Sequence, residues 1–494
     1  MADMMGQVEV NIARRRIIAR ISDPMNQRLT KWAKFTLRWG IAVVGITLVV
    51  RNMYFRDRVT FLDDRMHPVQ AAVVGQEENG KSFRVIDPRD GQYRMVGRDE
   101  LVNQPDQQHQ PIMIHTDQGT KKVYLLALDL SDDLKSVQKL LVADTPDGPG
   151  RWILRAQTVD YQLKVPHPLV EIGVATMVRE AWRQPSLLLL SVFIFPITFL
   201  LTSVRWHELL KALDIRIGPA KALVLTMVGG FYNTFMPGST GGDLLKAIYV
   251  SKFTTHRTRA VFSVIVDRVI GLLALVILGG VMATYQVLLP HPPHDPVARA
   301  CLKVAGACGA ILLAALVGLG VFYNPFLLKY SGLDFILRRL PMQKQVTKAI
   351  EAMHIYRRRP LLVFTALLLT FPVHITVVLS AMFAGMAFGL PLHPLYYWVA
   401  VPVIVLVAAI PISPQGAGVM EYFAIILTRA QGATISQAFA LTMSIRIVQI
   451  MWNLTGGVFV IRGGFHAPTP GEQEELETDE SSTSRAHVVG RVEG

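Results

Sequence analysis

Two glycine-rich breaks interrupt otherwise apolar stretches of this chain, Asn233-Thr-Phe-Met-Pro-Gly-Ser-Thr-Gly-Gly-Asp243 and Pro411-Ile-Ser-Pro-Gln-Gly-Ala-Gly-Val-Met-Glu421. In hydrocarbon every unpaired N–H or C=O costs several kcal/mol, so non-helical backbone persists only where protein or a wet cavity satisfies it. Paired breaks in corresponding positions of two halves point to a transport site near the bilayer midplane. Hydrophobic residues form 51% of the chain, and several apolar runs approach the ~20 residues that span a bilayer. A single soluble core is thereby excluded. The expected class is an all-α polytopic membrane protein, an inverted repeat with two re-entrant helical hairpins, plus a small β-rich extracytoplasmic insertion.

The formal net charge of +13 resembles a nucleic-acid signal. The basic residues flank apolar runs, however, where they mark cytoplasmic loops and favour anionic headgroups. No nucleic-acid partner is expected. The charge pattern divides the chain into a basic cytoplasmic N-terminus (1–32), a first transmembrane helix (33–54) and the β-rich insertion (55–184). A membrane domain (186–461) and an acidic, disordered cytoplasmic tail (462–494) follow. Both termini are placed inside, in a plasma (inner) membrane protein.

Within 55–184, turn signals such as Asp87-Pro-Arg-Asp-Gly91, Asp117-Gln-Gly119 and Asp144-Thr-Pro-Asp-Gly148 separate β-like segments at 122–128 and 152–159. A helical pattern is read over 169–183. After a span at 186–204, Arg205, Lys211, Arg216 and Lys221 place the next loop inside. Lys246, Lys252, Arg257 and Arg259 follow the first break at once, so 222–252 reads as a hairpin entering and leaving from the cytoplasm. Spans at 260–289, 300–323 and 361–389, a second hairpin over 396–430 and a span at 438–461 complete six crossings and two opposed hairpins.

Charges within spans are costly and therefore candidates for function. They are Asp243, Lys246, Asp267, Arg268, Glu421 and Arg446. Thr442, Arg446, Gln449 and Asn453 share one helix face. Arg446 is read either as part of an anion site or as a lock that pairs with Glu421 or Asp267.

Half-helices starting near Asp243 and Gly418 would aim positive dipole ends and free N–H groups at an anion. Gly241, Gly242, Gly416 and Gly418 permit close approach or positive φ, while Pro237 and Pro414 stop the preceding segments. Asp243 and Ser413 read as site residues or as caps of local backbone. Glu421, inside its half-helix, reads as a site or coupling residue, and Asp267 joins it as a candidate for proton coupling or ion pairing. Asn233 and Gln449 complete the headgroup-binding set.

Cys301 and Cys308 read as buried packing residues, and His374 as a hydrogen-bonded interior residue. His291, His294 and Asp295 make a weak metal pattern. No Walker loop, dinucleotide fingerprint, nucleophile elbow or zinc-protease motif is present. No cofactor, metal or catalytic residue is expected.

These motifs resemble the lysylphosphatidylglycerol synthase transmembrane-region family of flippase-like proteins. The similarity runs through 231–246, Val266-Asp-Arg-Val-Ile-Gly-Leu272, 411–421 and Arg446, covering roughly 186–461. Lys246 stands where the family usually has arginine, Gln415 where it usually has glycine, and 55–184 falls outside the resemblance. The resemblance implies the lipid-translocating part without the soluble aminoacyl-transfer domain. It implies a transporter of an anionic phospholipid or polyprenyl-phosphate-linked lipid, with membrane lipids as partners. A lipid-phosphate transferase and a scaffold that binds an envelope partner through 55–184 are the alternatives, and the oligomeric state is open.

Overall fold

A computed structural model describes residues 36, 39–40, 42–77, 81–105, 109–116, 119–130, 137–159, 161, 168–235, 241–254, 257–292, 295–323, 356, 359–410, 413–462 and 465. The basic N-terminal cluster, Pro237, Pro411, His294, the basic segment 324–355 and the acidic tail lie outside the described residues.

The N-terminal region is β-rich. Strands β1 (Arg58–Leu62), β2 (Pro68–Gln76), β3 (Ser82–Ile86), β4 (Tyr93–Gly97) and, much later in the chain, β9 (Val170–Glu171) form an antiparallel sheet in the order β4-β3-β2-β1-β9. A second sheet runs β5 (Gln110–Thr116), β6 (Gly119–Leu130), β7 (Val137–Ala143), β8 (Arg151–Leu154). Alternate residues such as Val59, Phe61, Phe83 and Val85 in the first sheet, and Val123, Leu125, Leu140 and Val142 in the second, face two separate cores. That alternation is the period of two expected of a half-buried strand.

Two sequence expectations shift here. The 152–159 segment is a strand only to Leu154 and then makes a 3-10 turn over Arg155–Gln157. The helical pattern assigned from residue 169 begins at Val174, because Val170 pairs with Val59 and closes the first sheet.

The Asp87–Gly91 turn shows how the sequence builds a hairpin. Gly91 adopts φ +73° and its N–H donates to Asp87 O at 2.9 Å. Arg89 donates to the Asp87 carboxylate through Nη2 at 2.6 Å, Nε at 2.9 Å and its backbone N–H at 3.0 Å. The Arg89 guanidinium, followed by its backbone N–H, holds the Asp87 carboxyl well below its ordinary value, at about 2. A depressed folded-state pKa stabilises above the unfolded value of about 3.9 and is lost as pH falls through the folded one. Pulse-labelling hydrogen exchange on peptides covering β3 and β4 should therefore show less protection in Asp87→Asn than in wild type at pH 6. The difference should fade between about pH 4 and pH 2.

The helices are α1 (Ala42–Arg51), α2 (Val174–Arg183), α3 (Pro185–Ile194), α4 (Ile197–Ala212), α5 (Pro219–Phe235), α6 (Gly241–Ser251) and α7 (Arg257–Leu288). They continue as α8 (Pro296–Tyr323), α9 (Pro360–Ala387), α10 (Pro394–Ala409), α11 (Val419–Arg429), α12 (Ile435–Thr455) and α13 (Gly457–Ile461). Among the described residues, five segments are long and apolar enough to cross a membrane: Pro185–Ala212, Arg259–Leu288, Pro296–Gly320, Pro360–Ala387 and Ile435–Ile461.

Large apolar side chains such as Val281, Leu313, Leu316, Phe364 and Ile447 lie exposed on the outside of these helices. In water such a surface would aggregate, whereas in lipid it is solvated. The expected span at 186–204 extends eight residues further, to Ala212. Cys308 packs on Gly280, where an added Cβ would fall 2.9 Å from the cysteine Cβ. Both cysteines are buried, as packing residues should be.

The β region is tied to one end of the bundle. Gly173 N–H and Thr176 Oγ1 donate to the Asp57 carboxylate at 2.7 and 2.9 Å. Thr434 Oγ1 donates to Ile172 O, and Tyr54 N–H to Ser436 Oγ, at 3.3 and 3.4 Å. The β sheets therefore abut the start of α12.

Candidate functional site

The site grows from two neighbours on α7. Successive residues on an α-helix diverge by about 100°, so Asp267 and Arg268 reach different partners. Asp267 Oδ1 accepts from Arg205 Nε on α4 at 2.8 Å. Arg205 Nη1 donates to Thr370 Oγ1 on α9 at 2.9 Å. Arg268 Nε donates to Asp243 Oδ2 in the first turn of α6. One helix thus pins α4 and α6 through charge, and Arg205 carries the link on to α9 through a hydrogen bond.

Helices α5 and α6 pack back to back across Gly229 and Gly242, so closely that a Cβ on Gly242 would overlap the Gly229 carbonyl. Asn233 Oδ1 accepts from Gly242 N–H at 2.7 Å and satisfies one orphan donor at the start of α6. Asp243, which could have been read as that cap, is instead the partner of Arg268. One turn on, Lys246 is only 7% exposed, with Nζ 4.6 Å from the centroid of Trp206. Among the described residues no carboxylate is in ion-pair contact with this ammonium.

The second break is built differently. Gln415, Gly416 and Gly418 all have positive φ, at 49°, 68° and 84°, the region glycine enters without strain. Gln415, at the first of these positions, therefore holds a left-handed conformation that its Cβ disfavours. Gln415 Nε2 donates to Thr234 O at 3.4 Å, linking this break to α5. A Cβ on Gly45 of α1 would fall 2.5 Å from Gly418 Cα, so the first helix rests on the break.

Glu421 is fully buried, with Oε2 accepting from Gly418 N–H at 2.6 Å and Oε1 2.7 Å from Arg446 Nη1. Glu421, read from the sequence as a site or coupling residue, is the third residue of α11 and reaches back to cap the helix start. Ser413 Oγ is buried and, among the described residues, has no hydrogen-bond partner in the local backbone.

A cavity of about 310 Å³ opens among α4, α5, α6, α7, α9, α10 and α12. Asn233, Asp243, Lys246, Asp267, Arg268 and Gln449 of the expected set line it. Gly242 lies just behind this wall, and Gly241 opens α6. Ser413, Gly416, Gly418, Glu421 and Arg446 are not among its lining residues. The set read as one site therefore separates into a cavity at the first break and a closed ion pair at the second.

Gln449 and Asn453 of the α12 stripe reach the cavity, while Arg446 turns to Glu421. His374 also lines the cavity, and its Nε2 donates to Gly271 O at 2.9 Å. Among the described residues no cluster of three or more His, Cys, Asp or Glu side chains could hold a metal ion.

Arg205 is the residue that sequence reasoning misplaced. Taken as a loop marker, it is buried and lines the cavity. The signal was present: Thr198, Thr202 and Arg205 step by four and three along α4 and all line the cavity, the same spacing that exposed the α12 stripe.

The sequence profile described as lysylphosphatidylglycerol synthase TM region matches residues 171–457, from β9 to the first residue of α13. The chain belongs to this family. The family region thus begins within the last strand of the β-rich region and contains both breaks. The UPF0104 membrane protein PH1989 of Pyrococcus horikoshii is 24% identical over 315 residues, which are 59% of this chain and 91% of that protein. No solved structure matches. As a lysylphosphatidylglycerol synthase TM region protein, the chain is an integral, multi-pass membrane protein.

Proposed function

We propose that this chain moves an anionic lipid between the two leaflets of a membrane, holding the headgroup in the cavity at the first break while the acyl or prenyl chains stay in the bilayer. The observation that carries this reading is the cavity itself. It is lined by five ionisable side chains of α4, α6 and α7 inside helices whose outer faces are apolar. Charged groups at such depth face a wet path or a ligand by default.

The lengths of the broken helices support two re-entrant hairpins. Helices α5, α6, α10 and α11 have 17, 11, 16 and 11 residues, each short of the ~20 a crossing needs. Their order relative to the long helices supports an inverted repeat, in which one half rocks against the other. The distribution of lysine and arginine supports cytoplasmic termini. Asp267, at the cavity wall, is the carboxylate best placed for ion coupling. Glu421 and Arg446 hold the second break.

Reconstitution into vesicles with a fluorescent phosphatidylglycerol in one leaflet tests the proposal. Wild-type protein should speed its appearance in the other leaflet, and Lys246→Gln should slow it by about 10- to 100-fold, the weight of one charge-assisted contact. Folded protein that moves no anionic lipid would refute the reading.

A further inference from the structure

Among the described residues, the lysine, arginine and aspartate side chains that line the cavity do not balance. Arg205, Lys246 and Arg268 face Asp243 and Asp267, and both carboxylates are already matched, one by each arginine. The surplus is one positive charge. It falls to Lys246, which is 7% exposed and, among the described residues, has the Trp206 ring face beside its ammonium and no carboxylate in ion-pair contact. Segment 236–240, which precedes α6 in the sequence and lies outside the described residues, contains no acidic residue.

An ion held away from water without a counter-charge is disfavoured, and a matching ligand removes that penalty. A monoanion brings the cavity to neutrality. A dianion leaves one negative charge uncompensated in the same surroundings. The donors agree with this count. Arg205 directs Nε at Asp267 and Nη1 at Thr370, and Arg268 directs Nε at Asp243, so each guanidinium already has its own counter-charge. What is left is an ammonium, a compact point charge.

We infer that the cavity selects a lipid whose headgroup bears one negative charge on a phosphodiester, with the Lys246 ammonium as its counter-ion, over lipids ending in a doubly charged phosphomonoester. The inference rests on the proposed lipid transport for the nature of its ligand, but it concerns binding. It applies equally to a glycerophospholipid and to a polyprenyl lipid joined to its headgroup through one phosphate.

Competitive lipid retention, read by native mass spectrometry on the full chain at pH 8, separates these cases. At that pH a monoester, with its second pKa near 6, is a dianion. The probes are phosphatidylglycerol against phosphatidic acid, and a polyprenyl phosphohexose against the polyprenyl phosphate. In at least one pair the diester should be retained about 10-fold over its monoester, equivalent to about 1.4 kcal/mol; which pair does so names the lipid class. Lys246→Gln should abolish the preference and Lys246→Arg should keep it.

Wild-type protein that retains the monoesters as well as or better than the diesters, or none of the four lipids, overturns the inference. So does folded Lys246→Gln that retains diesters like wild type. If Lys246→Gln does not fold, the wild-type ranking decides. Diester preference without movement between leaflets would remove the transport proposal and leave this inference standing.

Discussion

Replacing Arg446 by alanine should lower stability by about 3–5 kcal/mol, the usual result of removing one partner of a buried ion pair. Glu421 has no exposure at all, and among the described residues its Oε1 pairs with the Arg446 guanidinium. Without that cation a carboxylate is stranded in the protein interior, directly behind the turn that starts α11. Against a typical total of about 5–15 kcal/mol, such a loss should appear as poor yield of monodisperse protein and an early thermal transition in detergent. The double variant Glu421→Gln/Arg446→Met should recover most of the stability. Glutamine can still accept from Gly418 N–H, and methionine joins Met420 and Met443, whose sulfur atoms lie 3.8 and 3.9 Å from the guanidinium nitrogens. Arg446→Ala with wild-type stability but no lipid movement would show instead that the guanidinium acts on the substrate.

Asp267→Ala should be equally damaging, again by about 3–5 kcal/mol. Arg205 would keep Thr370 as a neutral partner but lose the charge that offsets its burial. The informative comparison is Arg205→Met/Asp267→Leu. This variant removes one positive and one negative group together, so the net charge at the cavity is unchanged. Thermal unfolding in detergent should show most of the stability restored, since apolar replacements of a buried pair are often neutral. A double variant as unstable as the single one would mean that Arg205 and Asp267 contribute through contacts other than with each other.

The elements legible in the sequence were those decided locally. The hairpin turns at Asp87–Gly91 and Asp144–Gly148 carry their own backbone chemistry. In the structure Gly91 N–H donates to Asp87 O and Gly148 N–H to Thr145 O. The long apolar runs and the two breaks were equally plain, since length and hydropathy alone decide what can cross a bilayer. β9 was not legible. Two residues joined to β1 across more than a hundred positions leave no periodic trace, and the amphipathic helix after them swallowed the signal. Nor was the capping role of Glu421, because a glutamate three residues inside a helix start reads equally well as cap, coupling group or ligand.

The sequence by itself determined that this chain lives in a membrane, carries a β-rich region ahead of its main helical bundle, breaks its helices twice and buries a short list of charges. Only the tertiary structure decided how those charges are shared out. Arg205 and Asp267 lie 62 residues apart and Asp243 and Arg268 lie 25 apart, and their pairing depends on which faces of α4, α6 and α7 meet. Coulombic attraction in a dry interior acts over a few ångströms and has no sequence signature. The consequence is that two breaks that look alike in sequence differ in kind: one closes on itself through Glu421 and Arg446, and the other opens on a cavity with Lys246 as its unmatched charge.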